Sequence, residues 1–292
     1  MASKKRKILR VVIIIMLSIA FALYVIMPAL FGLFTSVRIT QSVGEPPDGF
    51  AETTLKTTDS VNLAAWYKAP ENGAAVLVIH GSNCSRETAR PYAEFLAEHG
   101  YGVIAIDLRG HGESQGAANA LGWQRGKDIE AVLEFLRNEG IENIGALGLS
   151  LGGESLLGEC WASPEIKAVV SDGATHSSLA DYLVLPSRES LVRSWTTRVM
   201  YASAQLFTGQ TPPVTTMLDS IKASKDTRFV FIAAEDTEEE VEYNTVFAEA
   251  AKGRSELWVV PEAGHTQAFH LYPDEYESRV IAFFNAALFP QG

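Results

Sequence analysis

The chain has 292 residues, 24 Lys and Arg against 35 Asp and Glu, and a formal net charge of −11. Hydrophobic residues make up 47% and charged residues 20%, enough apolar material for a full-size core, which excludes disorder and collagen-like repeats. Two cysteines far apart, Cys84 and Cys160, cannot form a disulfide framework or a Cys-rich zinc site, and the six histidines lack metal-binding spacing, so no metal is expected.

Residues 1–10 hold Lys4, Lys5, Arg6, Lys7 and Arg10 and no acid. The remaining chain is therefore strongly acidic, a poor match for nucleic acid, whose phosphates need a basic face. From Val11 to Phe34 no residue is charged. About 20 apolar residues cross a bilayer core, so residues 11–34 read as a transmembrane anchor, with Pro28 as a candidate kink. Cations on its N-terminal side predict a cytoplasmic tail over 1–10 and an extracytoplasmic C-terminal domain, a single-pass protein of the cell membrane. A cleavable signal peptide is the other reading, because Ala20-Phe21-Ala22 resembles a small-x-small cleavage site. The apolar run continues well past it, beyond the about 7–15 residues of a signal h-region. Residues 35–49 read as a linker, with Pro46 and Pro47 near its end.

The domain over 50–292 alternates strand and helix. Two strands flank a turn at Thr58-Asp59-Ser60. The run Ala74–His80 has the short, fully apolar character of a buried parallel strand. A helix over Glu87–His99 follows, stopped by Gly100, then a strand over Gly102–Leu108. Ile129, Val132, Leu133 and Leu136 mark an amphipathic helix over Asp128–Asn138. Further strands are expected at Ile144–Leu149, Lys167–Ser171, Arg228–Ala233 and Glu256–Val260, and helices at Glu154–Trp161, Val241–Lys252 and Asp274–Leu288. This alternation predicts an α/β fold, a mostly parallel sheet covered on both faces. It breaks over about 174–226, which reads as a cap insertion holding a helix near Leu191–Phe207.

Gly148-Leu149-Ser150-Leu151-Gly152 matches G-x-S-x-G between a strand and a helix. A nucleophile on so sharp a turn needs small residues two positions to either side, and the turn aims Oγ of Ser150 away from the sheet. His80-Gly81-Ser82 ends the strand Ala74–His80. The N–H groups of Ser82 and Leu151 are therefore the candidate donors to a tetrahedral oxyanion. His80 itself reads as structural. Gly264-His265, on a loop after Glu256–Val260, suits a general base, with His270 a nearby competitor. Asp236, just past the strand Arg228–Ala233, is the candidate acid to orient His265, and Asp172 is its rival. Glu235, Glu238, Glu239 and Glu240 crowd Asp236, so a solvated acidic patch is the plain alternative.

On these motifs, together with Asp107-Leu108-Arg109-Gly110-His111-Gly112-Glu113-Ser114 and Ala263-Gly264-His265, the chain resembles α/β-hydrolase-fold serine hydrolases of the serine aminopeptidase-like, monoglyceride lipase-like and Bem46-like lineage. The resemblance covers about Phe50 to Leu288. It implies a sheet of about eight strands, hydrolysis of an ester, thioester or amide of a small-molecule acyl substrate through an acyl-enzyme, and no cofactor. It implies also that Asp107, Arg109 and His111 hold loops. Where the family has a glycine three residues before the acid, this chain has Ala233. A catalytically silent or binding-only protein on the same fold is the competing class.

Overall fold

The computed structural model describes residues 2–35, 37–38, 40–119 and 121–289. Ser36 and Ile39 of the expected linker and residues 290–292 at the end of the expected domain lie outside the described residues. The apolar N-terminal run is one helix: α1 (Ala2–Phe21), a π-helical turn (Ala22–Ile26) and α2 (Met27–Phe34). The wide turn has a cause in Pro28. Proline lacks the N–H that would bond the carbonyl four residues back, that of Tyr24, and its ring crowds that turn. The helix loosens, with the Met27 N–H bonding Ala22 O, and the indole N–H of Trp195 donates to Tyr24 O at 3.0 Å.

The segment after α2 lies against residues of later loops. Arg38 donates to Ser114 O at 2.6 Å and Gln41 to Asn83 O at 2.5 Å. Strands β1 (Ala51–Lys56) and β2 (Asn62–Lys68) then form a hairpin. The chain continues through β3 (Ala74–Ile79), α3 (Arg90–Glu98), β4 (Gly102–Ile106), α4 (Arg125–Asn138), β5 (Asn143–Leu149), α5 (Leu151–Glu159) and β6 (Ile166–Asp172). Helix α3 starts later than the sequence predicts. A 3-10 turn over Arg86–Ala89 precedes it, and Pro91 sits in its first turn, where no N–H is needed. The cap follows as α6 (Leu179–Tyr182), α7 (Leu191–Thr208) and α8 (Met217–Ala223), and the last third is β7 (Arg228–Ala234), α9 (Glu238–Ala250), β8 (Ser255–Val260), α10 (Ala268–Leu271) and α11 (Pro273–Leu288).

The eight strands form one sheet in the order β1-β2-β4-β3-β5-β6-β7-β8. Strand β2 pairs antiparallel with β1 and β4, and the rest pair parallel. All six residues of β3 and all five of β4 are buried, as parallel strands covered by helices must be. One core lies between the sheet and α4, α5, α8 and α9; the other lies under α3, α10 and α11. The chain order reverses at β3. Loops leaving the C-terminal ends of β3 and β5 therefore diverge, the place where open α/β sheets hold their ligands.

The loop after β4 is held by buried ion pairs. Asp107 pairs with Arg86 and accepts from the Glu113 N–H, while Arg109 donates to Asp128 at 2.7 Å and reaches Asp59 at 2.9 Å. Burial raises Asp128 to about 6 although Arg109 opposes it. His80 is fully buried and accepts from the Leu108 N–H at 3.1 Å; burial lowers it to about 3, so it stays neutral. These groups hold loops, and none of them lines the cavity at Ser150.

Candidate active site

Ser150 stands between β5 and α5 with φ 50° and ψ −113°, a conformation rarely adopted by a side-chain-bearing residue. The neighbouring glycines make that turn possible. A Cβ on Gly148 would lie 2.3 Å from the Gly152 carbonyl carbon, one on Gly152 2.3 Å from Ile79 O, and one on Gly153 2.6 Å from Ser171 Oγ. The Ser150 N–H donates to Asp172 O at 2.7 Å, tying the turn to the end of β6.

The structure brings Ser150 and His265 together. The loop after β8 presents His265 so that Nε2 is 2.9 Å from Ser150 Oγ. His270 lies on α10 with an exposed side chain. The carboxylate at Nδ1 of His265 is not the expected Asp236. Asp236 is exposed, in the turn after β7, where its N–H donates to Ala263 O at 3.1 Å. Nδ1 of His265 is instead 2.5 Å from Oε1 of Glu240. Glu240 is fully buried, and its other oxygen accepts the Ala234 N–H at 2.9 Å. The correction follows from helix geometry. Glu240, Tyr243, Asn244 and Phe247 form the buried face of α9 at i, i+3, i+4 and i+7, so the register of α9 turns Glu240 inward while Asp236 precedes the helix. Position 240 in the first turn also suits a carboxylate, since the helix N-terminus favours negative charge.

Asp172, the rival, is close but differently placed. A Cβ on Gly173 would lie 3.1 Å from Cε1 of His265, so the end of β6 touches the imidazole edge. Asp172 is buried, its Oδ2 has no hydrogen-bond partner, and burial raises the carboxyl to about 7, with the nearby Tyr276 hydroxyl opposing. His265 is raised above the usual histidine value, first by its hydrogen bond to Glu240, against the desolvation that lowers it.

A cavity of about 240 Å³ opens at Ser150. Ser82 and Leu151 line it, as do Glu154, His176 and, from the N-terminal helix, Phe31 and Phe34. His176 Nδ1 is 2.5 Å from the Tyr201 hydroxyl, and Glu154 accepts from the Thr175 N–H and hydroxyl, both at 3.3 Å. Burial raises the Glu154 carboxyl. Larger hollows, of about 410 and 590 Å³, lie at the Arg228–Arg279 surface and beneath Glu45–Phe50, away from Ser150. Glu240, Glu154 and His176 are the site residues the sequence reading misses; only the helical spacing from Tyr243 and Phe247 back to Glu240 carried a signal.

The model of the Alpha/beta hydrolase family matches residues 76–279. Among curated proteins, the thiohydrolase aneE of Aspergillus aculeatus is 30% identical over 130 residues, 42% of this chain and 41% of that protein. The matches span between 32% and 60% of the lengths of such relatives. Among solved structures, the esterase Pf2001 of Pyrococcus furiosus superposes with a TM-score of 0.69 at 23% identity, over 86% of this chain and 99% of that one. A bacterial membrane phospholipase A superposes with a TM-score of 0.58 at 19% identity, over 97% of this chain and 99% of that one. Both are likenesses of fold. With its eight-stranded sheet and a family match over most of its length, the chain belongs to the Alpha/beta hydrolase family.

Proposed function

We propose that this protein is a membrane-anchored serine hydrolase, cleaving an ester, thioester or amide through an acyl-enzyme. The observation that carries the reading is the continuous relay Ser150 Oγ···His265 Nε2 at 2.9 Å and His265 Nδ1···Glu240 Oε1 at 2.5 Å. Glu240 holds the tautomer with hydrogen on Nδ1 and leaves Nε2 as the base. As Ser150 Oγ bonds the substrate carbonyl carbon, its proton passes to His265 Nε2, and the imidazolium is steadied by Glu240. The N–H groups of Leu151 and Ser82 donate to the oxyanion. Leu151 suits this role because it opens α5, where a backbone N–H has no intrahelical acceptor, and both residues line the cavity at Ser150. Collapse breaks the bond to the leaving group, which takes the proton from His265. Water, deprotonated by the same imidazole, then releases the acid and frees Ser150. In this scheme Glu240 replaces the expected Asp236 as the positioning residue.

The names of the relatives support the reaction class: a thiohydrolase, an esterase and a phospholipase all cleave acyl bonds. The resemblance of the DLRGHGES loop supports the serine aminopeptidase-like, monoglyceride lipase-like or Bem46-like lineage. The helix over Lys4–Phe34 is long and apolar enough to span a bilayer, and the cations ahead of Val11 support an N-terminus in the cytoplasm with the hydrolase domain outside. A fluorophosphonate probe tests the nucleophile. The full chain is expected to be labelled on Ser150, and Ser150→Ala to lose the label with about 10⁶-fold of kcat on a short p-nitrophenyl ester. Labelling that survives in the variant overturns the assignment, and an unlabelled, inactive wild type supports the silent-protein reading. Protease added to intact cells tests the orientation: it is expected to digest the domain after residue 50, and protection until lysis reverses the topology.

A further inference from the structure

The end of the N-terminal helix is built into the cap. Gly32 is the one residue of α2 that is fully buried, and a Cβ there would lie 2.4 Å from Met200 O and 2.7 Å from Ser203 Cβ of α7. Trp195 of α7 donates to Tyr24 O two turns before Gly32. Both contacts run in the same direction, so α7 lies parallel to the end of the apolar helix, with Leu191 and Val192 nearest the helix middle. Counting from Val11, about 20 residues at 1.5 Å each reach the far side of a hydrocarbon core near residue 30. The level of Tyr24 and Trp195 therefore falls about 9 Å beneath that boundary, six residues at about 1.5 Å each, so the N-terminal part of α7 stands beside the membrane-crossing helix within the leaflet.

The outer face of α7 carries the wrong chemistry for water. Leu191, Val192, Trp195, Val199, Ala202 and Leu206 recur at i, i+1, i+4, i+8, i+11 and i+15, an apolar stripe within about 100° of the helix circumference. Val192 is 89% exposed and Leu206 78%. A soluble cap helix turns such a stripe inward; here Tyr201 and Ala204 of another face do the packing, and the stripe continues the apolar surface of the anchor. The cavity at Ser150 shares this border. Phe31 and Phe34 line it and are themselves 60% and 69% exposed, so its mouth lies against the anchor.

We infer that α7 enters, by this stripe and N-terminal end first, the leaflet that the C-terminal end of the anchor reaches, and that the site takes an acyl chain directly from that leaflet, with Phe31 and Phe34 as part of the acyl-binding wall. The volume of about 240 Å³ falls below the about 300–1,000 Å³ of ordinary small-molecule sites. It holds the scissile carbonyl and part of one chain, and the rest of the lipid stays in the bilayer. The substrate class is thus a membrane-resident acyl lipid rather than a soluble ester. This deepens the serine-hydrolase reading and rests on it for the chemistry, while the docking itself does not.

The test uses the full chain reconstituted in phosphatidylcholine–phosphatidylglycerol vesicles. An NBD fluorophore is attached to Val192→Cys in a Cys84→Ser background, with Glu139→Cys, exposed at the end of α4 before the N-terminal end of β5, as the water-facing reference. The label at 192 is expected to shift to the blue, to be quenched by 5-doxyl lipid and to resist aqueous iodide; the label at 139 is expected to do the reverse. A label at 192 that behaves like the one at 139 overturns the docking. On the same vesicles, Val192→Asp with Leu206→Asp should hydrolyse p-nitrophenyl butyrate within twofold of wild type and vesicle-borne p-nitrophenyl palmitate at least tenfold more slowly. Equal loss on both esters, or on neither, overturns delivery from the leaflet. A wild type that turns over neither ester refutes the hydrolase chemistry, and with it acyl capture, while the fluorophore still decides the docking.

Discussion

Two buried carboxylates flank His265, and they differ in how their oxygens are satisfied. Glu240 has a partner for each oxygen: the imidazole at 2.5 Å and the Ala234 N–H at 2.9 Å. Asp172 is equally buried, sits at the end of the neighbouring strand, and has an oxygen with no partner. Burial alone pushes a carboxyl toward its neutral form; hydrogen bonds to the charged form hold it ionised. The comparison separates two jobs. Glu240 is placed to hold an imidazole, with a partner for each oxygen, whereas Asp172 lies beside the same ring with its carboxyl raised by burial to about 7.

The largest effect expected from this contrast is on turnover. Glu240→Gln should lower kcat on a short p-nitrophenyl ester by about 10⁴, the loss typical when the orienting carboxylate goes and the fold stays, whereas Asp172→Asn should stay within about tenfold. Equal losses would mean that the two carboxyls act as one unit. The next effect is on stability. The folded-state value of Asp172 is above the unfolded one, so the unfolded chain loses this proton first as pH rises from about 4 to 7, and stability falls across that window. Asn does not titrate. Thermal melts should therefore place Asp172→Asn several degrees higher, relative to wild type, at pH 8 than at pH 4; a constant gap would show Asp172 to be charged in the fold.

A smaller effect concerns pH. The base must be neutral at Nε2, and Glu240 raises His265, so the acid limb of kcat/KM should lie above the ordinary histidine value of about 6.5. In Glu240→Gln the midpoint should move down; an unmoved limb would assign it to another group. The smallest effect belongs to Asp236→Asn. That side chain is exposed in its turn, and the variant should keep activity within about twofold, measured on the same ester.

The elbow was legible because its requirement is local. A serine held at positive φ with backbone packed against both flanks leaves glycine at 148 and 152 as a visible trace. His265 was legible as a loop histidine late in an alternating pattern. The carboxylate partner of His265 was hidden by register. Five acids lie between Glu235 and Glu240, and only the helical face decides which one turns inward. Starting the helix at Val241 left Glu240 outside it, while α9 begins at Glu238 and places Glu240 on the face of Tyr243 and Phe247. The strand pattern was read to within a few residues, since each buried strand is a continuous apolar run. The contact between the N-terminal helix and α7 left no local trace. Gly32 against Met200, and Trp195 against Tyr24, are contacts between segments about 170 residues apart, and nothing in either segment announces the other.

The central claim, that Glu240 fixes the tautomer of His265 so that Nε2 faces Ser150, is tested most directly on the imidazole itself. In ¹⁵N-histidine-labelled full chain, the His265 resonances, assigned by their loss in His265→Gln, should report above their titration midpoint a proton held on Nδ1 and a bare Nε2. That Nδ1 proton should lie far downfield as a short hydrogen bond to a carboxylate. Asp236→Asn and Asp172→Asn should keep it, and Glu240→Gln should lose it. A downfield proton that survives Glu240→Gln and vanishes in either aspartate variant would contradict the account.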